Sequence, residues 1–113
     1  MMICAYSDGI TFVALNMSAT ALLGQLAEEA AELGHAALKL QRVLAGENPT
    51  PVTEEEAREA LIEEIADVYC CLDAITSKME ISSSTKILPK IWIKADRWAS
   101  RLRGKCNREE AAT

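Results

Sequence analysis

Two short acidic clusters stand inside otherwise apolar runs. Glu28-Glu29-x-x-Glu32 lies within "QLAEEAAELGHAALKL", and Glu63-Glu64-x-x-Asp67 lies within "LIEEIADVYCCL". A surface helix keeps its carboxylates on the side opposite its leucines. With each helical residue advancing about 100°, Val68, Leu61, Leu72 and Ile75 all fall within roughly 80° of Glu64. Glu64 therefore sits in the apolar stripe and Asp67 at its edge. The first cluster repeats the layout: Leu22, Leu26, Leu33 and Leu40 fall within about 60° of Glu29, and Glu32 takes the edge. Four carboxylates, Glu29, Glu32, Glu64 and Asp67, are expected to face one another between helices. Buried acids need compensation: raised pKa values, salt bridges, or a hard cation such as Mg²⁺ or Mn²⁺, which takes oxygen ligands. The competing reading makes them solvated acids on helix flanks.

A complementary charge follows. Lys94 and Arg97 repeat the three-residue spacing, beside Ile91, Trp98 and Leu102. A lysine and an arginine near a carboxylate-held cation suit a polyphosphate, because they neutralise oxygens that the metal does not reach. They could equally be surface cations lying over the tryptophans. Lys39 and Arg42 are lesser candidates of the same kind. Trp92 and Trp98 are expected in a core or an interface. Glu32-x-x-His35 has the spacing of di-iron carboxylate bundles, but His35 falls at roughly −120° from Glu29 and should look outward, into solvent.

Helices must position these groups. In a 113-residue chain, half the residues are hydrophobic but only 4% aromatic, and alanine, leucine and glutamate favour helix. The length suits one domain with a modest core, which an oligomer could enlarge. Residues 1–15 read as an extended arm or a short helix broken near Asp8-Gly9. A long helix follows, capped by Asn16 or Ser18 and stopped at Gly46. "GENPTPV" is a loop, since proline cannot continue a helix. Thr53 with Glu56 fits a capping box for a second long helix ending near Met79. "ISSST" breaks the pattern. Pro89 then opens a third helix that Gly104 ends, leaving residues 105–113 as a loose tail. An all-α antiparallel bundle is the expected fold, with residues 16–104 as its domain.

A net charge of −5 argues against nucleic acid as a partner, which would call for a basic face. Cys4, Cys70, Cys71 and Cys106 show no CxxC spacing, so buried reduced thiols are expected rather than zinc ligands or disulfides. No apolar run reaches membrane-spanning length. The first residues lack the basic start of a signal peptide, which makes cytoplasm the expected location.

In their order, the motifs from Gln25 to Leu102 resemble the EExxE…ExxD signature and following basic motif of the MazG-like nucleotide pyrophosphohydrolases. That group of all-α enzymes also includes the dimeric dUTPases. The resemblance implies a four-helix-type bundle completed as a homodimer or homotetramer. It implies hydrolysis of a nucleoside triphosphate between its α and β phosphates, giving monophosphate and pyrophosphate, with nucleotide-pool housecleaning as a family-level role. Glu29, Glu32, Glu64 and Asp67 would then hold Mg²⁺ and serve catalysis, with Lys94 and Arg97 on the phosphate chain. Two other readings stand beside it: a non-enzymatic helical interaction module, and a di-iron bundle.

Overall fold

A computed structural model describes residues 2–47 and 51–112, with side chains from Ala5 onward. Asn48, Pro49 and Thr50, within the expected "GENPTPV" loop, and the side chain of Cys4 lie outside the described residues. The fold is all-α, with four helices and no strand among the described residues: α1 (Met2–Asn16), α2 (Ala19–Ala45), α3 (Glu54–Lys78) and α4 (Leu88–Ala112). A π-helical turn, Ser83–Ile87, leads into α4. The chain divides into two compact units, Met1–Glu80 and Ile81–Thr113.

Local chemistry accounts for most boundaries. Ser18, rather than Asn16, caps α2 by accepting the Ala21 amide at 3.1 Å. Gly46 ends α2 in the left-handed region at φ 67°, a conformation open to a residue without Cβ. Thr53 accepts the Glu56 amide at 3.1 Å, and Glu54, Glu55 and Glu56 occupy the first turn of α3, where the helix dipole favours negative charge.

Two expected breaks do not occur. Asp8 and Gly9 lie inside the continuous α1, and α4 runs through Gly104 to Ala112. A helical glycine costs only about 1 kcal/mol relative to alanine. At Gly104 the backbone keeps negative φ, and the helix formers that follow carry the pattern on. Pro89 is the second residue of α4, one position later than expected and still in the turn where its missing N–H costs nothing.

In the first unit, α2 and α1 both pack against α3. Leu22 packs with Ala74 and Ile75 in the central cluster, whereas Ala36, about four turns on, shares a cleft with Ala60. The α2–α3 pair is therefore antiparallel. Tyr6 donates a hydrogen bond to the Asp73 carboxylate, and Thr11 and Leu15 lie beside Ser77 and Glu80, so α1 runs parallel to α3. That hydrogen bond is the first cause holding the Tyr6 hydroxyl well above its ordinary pKa, followed by burial and the charge of Asp73.

Alanine dominates the buried set. Only Leu22 and Ile75 are large among the buried residues Ala14, Leu22, Ala36, Ala57, Ala74 and Ile75. Small side chains let the two helices approach closely but bury little apolar area each. In the second unit, no described residue of α4 is buried within the single chain. Trp92 and Trp98 are 68% and 69% exposed, so they form no core in the chain by itself. Nor are the described cysteines buried: Cys70 and Cys106 are exposed and Cys71 is half-buried, all as free thiols. Cys70 points away from the α2–α3 seam, Cys71 lies on the seam face beside the partly hydrated Glu29, and Cys106 belongs to α4, which buries no described residue.

Candidate metal centre

The antiparallel register places the acids. The alignment that sets Leu22 beside Ala74 also sets Glu29 beside Asp67 and Glu32 beside Glu64. One carboxylate oxygen each from Glu29, Glu64 and Asp67 lie within 4.8 Å of one another. This is the only such group of His, Cys, Asp or Glu among the described residues. Glu29 and Glu64 are half-buried, while Asp67 and Glu32 are exposed. Hydrocarbon thus covers one side of the cluster and water reaches the other.

Its electrostatics are strained. Burial is the first cause pushing the Glu64 carboxyl above the usual carboxylate range. The charges of Glu32, Asp67 and Glu29 act in the same direction, as does a hydrogen bond with Glu32. Desolvation and like charges both favour the neutral acid. Glu29 Oε1 accepts from Gln25 Nε2 at 2.8 Å, but Glu29 Oε2 and Glu64 Oε2 are buried with no hydrogen-bond partner. Buried carboxylate oxygens are normally satisfied. Two such acceptors beside Asp67 fit a hard cation that takes oxygen ligands. The Cys71 thiol adjoins the cluster: burial, then the charges of Glu29, Cys70 and Asp67, push its pKa up, which disfavours the thiolate.

An open cleft of about 400 Å³ adjoins the acids between α2 and α3. It is lined by Glu32, His35 and Lys39 of α2, Glu64 of α3, and the alanines Ala31, Ala36 and Ala60. His35 is exposed, as expected, but it faces this cleft rather than bulk solvent alone. It does not belong to the carboxylate group that Glu29, Glu64 and Asp67 form. Arg42 lies outside the cleft and is half-buried, with its Nε unpartnered.

Gln25 and His35 are the site residues that helix phase alone overlooked. Gln25 precedes Glu29 by one turn, a spacing that brings side chains together, so the signal was present. For His35, the angular reading missed the width of the cleft that alanines leave open.

Lys94 and Arg97 belong to the second unit, where they border a surface hollow of about 160 Å³ with Lys90 and Ile93. Charge is divided unevenly along the chain. Residues 1–80 hold 14 acidic and four basic side chains, whereas residues 81–113 hold three acidic and eight basic ones. On α4, Lys90, Lys94, Arg97, Arg101, Lys105 and Arg108 fall within an arc of roughly 80°. Among the described residues, no helix is long and apolar enough to cross a membrane.

Comparison with protein-family models, with curated proteins and with solved structures finds no match to this chain. The resemblance to the MazG-like group therefore rests on the motif residues themselves.

Proposed function

We propose that the chain is a divalent-metal-dependent nucleoside triphosphate pyrophosphohydrolase of MazG-like type, releasing nucleoside monophosphate and pyrophosphate. The observation that carries this reading is the pair of orphaned, buried oxygens, Glu29 Oε2 and Glu64 Oε2, on facing helices beside Asp67. Glu29, Glu64 and Asp67, with Glu32 alongside, would hold Mg²⁺ or Mn²⁺. The cation supplies charge neutralisation at phosphate oxygens and a water acidified by coordination.

The chain's own residues have separable tasks. Gln25 fixes one oxygen of Glu29 and leaves the other for the metal, as supporting hydrogen bonds to ligands commonly do. Glu32 stands close enough to Glu64 to raise its pKa by charge and by a hydrogen bond, and a bound cation would relieve that repulsion. Lys94 and Arg97 would stabilise charge developing on the phosphate chain. The proposal includes a homodimer or homotetramer. Ile91, Trp92, Trp98 and Leu102 are all exposed on α4, and a second copy would cover them.

The test is incubation with a panel of NTPs and dNTPs, with Mg²⁺ or Mn²⁺, followed by assay of pyrophosphate. Pyrophosphate and monophosphate in equal amounts from at least one substrate, with none in chelator, is the expected result. Release of single phosphate, or no turnover by metal-loaded protein, would overturn the reading. In the second case, the exposed Trp98 beside the basic stripe of α4 would favour an interaction module, with no turnover and no metal dependence.

A further inference from the structure

The α2–α3 cleft has two chemically distinct ends. Glu32 and Glu64 mark one, and His35 and Lys39 line the same cleft further along α2. Residues 32, 35, 36 and 39 lie on one face of a helix, being three, four and seven positions apart. From Glu32 to Lys39 the axial distance is about 10 Å at 1.5 Å per residue. Helical side chains lean back toward the N-terminus, which carries the Lys39 ammonium toward His35 and the acidic end. Lys39 is half-buried. Among the described residues no ion pair joins Lys39 to the acids it faces. Ala36 and Ala60, opposite one another in this cleft, leave its middle unfilled.

We infer that His35 and Lys39 form an anion subsite for the far end of a metal-bound polyphosphate, the part that leaves as pyrophosphate. This rests on the proposed metal centre and extends it. A cation at the acids would anchor one phosphate, and the chain would run along the cleft toward Lys39. Lys39 then contributes a point charge and His35 a ring N–H donor. Both groups come from the unit that holds the acids, so the subsite needs no residue of α4. The volume, about 400 Å³, lies in the range of small-ligand pockets.

Calorimetric titration of the full chain tests this, using two probes in the presence of Mg²⁺. One is inorganic pyrophosphate, and the other is a dNTP whose α–β bridge is a methylene group and resists hydrolysis. Loss of one charge-assisted contact at Lys39→Gln is expected to weaken both probes by about 10-fold. His35→Gln should show a smaller loss, and Lys39→Arg should recover most of the affinity. Mn²⁺ binding without a phosphate ligand should be the same in all three variants, which also shows that the acids remain in place. Unchanged affinity for both probes in Lys39→Gln and His35→Gln, with Mn²⁺ still bound, would overturn the subsite and leave the metal centre standing. A loss confined to the nucleotide probe would place these two side chains beside the nucleoside and overturn it too. Failure of wild-type protein to bind Mn²⁺ would remove the metal centre and the subsite together.

Discussion

Replacing Glu64 by glutamine is expected to lower pyrophosphate release by two to three orders of magnitude, roughly the loss caused by deleting one pre-organised charge-stabilising group. Glutamine keeps the shape and one carbonyl oxygen but lacks the negative charge that a hard cation requires. The helices should persist. Glu64 is only half-buried, and the main packing of α2 on α3 runs through Leu22, Ala74 and Ile75. Stability of the metal-free protein should even rise at neutral pH. The Glu64 carboxyl is pushed above its ordinary value, so the folded chain holds that proton more tightly than the unfolded chain does. Its stabilising contribution is complete below the unfolded pKa and disappears as pH rises through the folded one. The glutamine variant cannot titrate at this position and should lose that part of the pH dependence. Circular dichroism melts from mildly acid to neutral pH, run beside the turnover assay, would expose the two effects. A fully active Glu64→Gln protein would show that the ligands lie elsewhere.

Saturating divalent cation is expected to raise the melting temperature of wild-type protein by on the order of 10 °C. The size follows from linkage, since ligand at 100 times its dissociation constant adds about 2.7 kcal/mol to a folded state that alone binds it. Here the exclusive binding has a structural basis. Glu29 and Asp67 belong to different helices and meet only through the antiparallel register, so the unfolded chain offers no equivalent site. The gain should vanish in chelator and be largely absent in Glu64→Gln. It should also shrink as pH falls through the raised Glu64 pKa, because a protonated carboxyl is a poor ligand. Thermal melts across a Mg²⁺ series at two pH values would measure it. Equal melting temperatures with and without cation would count against a shared site.

Much of the first unit was legible in the residues because its signals are local and strong. The stop at Gly46 and the cap at Thr53 each follow from one residue's backbone or hydroxyl chemistry. The convergence of Glu29 with Glu64 and Asp67 follows from helix phase once α2 and α3 are antiparallel, and the short connection between them favours that arrangement. The ends of the chain were harder to read. Asp8-Gly9 and Gly104 carry breaker residues, yet both lie in continuous helix, because one weak propensity is outweighed by the good helix formers around it. The alanine seam was also hidden. Counting leucines by phase suggested a broader core than the one Leu22, Ala74 and Ile75 make, and it gave no hint that Ala36 and Ala60 would leave a cleft open beside His35. For Lys94 and Arg97, phase put them on one basic face of α4, but phase within a helix says nothing about which acids that face meets.

The most direct measurement is titration of Mn²⁺ into metal-free protein, followed by the paramagnetic resonance signal of the free ion. One saturable site per chain, displaced by Mg²⁺ and lost in Glu64→Gln, is the expected result. A free-ion signal that rises from the first addition, the same in wild type and variant, would contradict a cation held between α2 and α3.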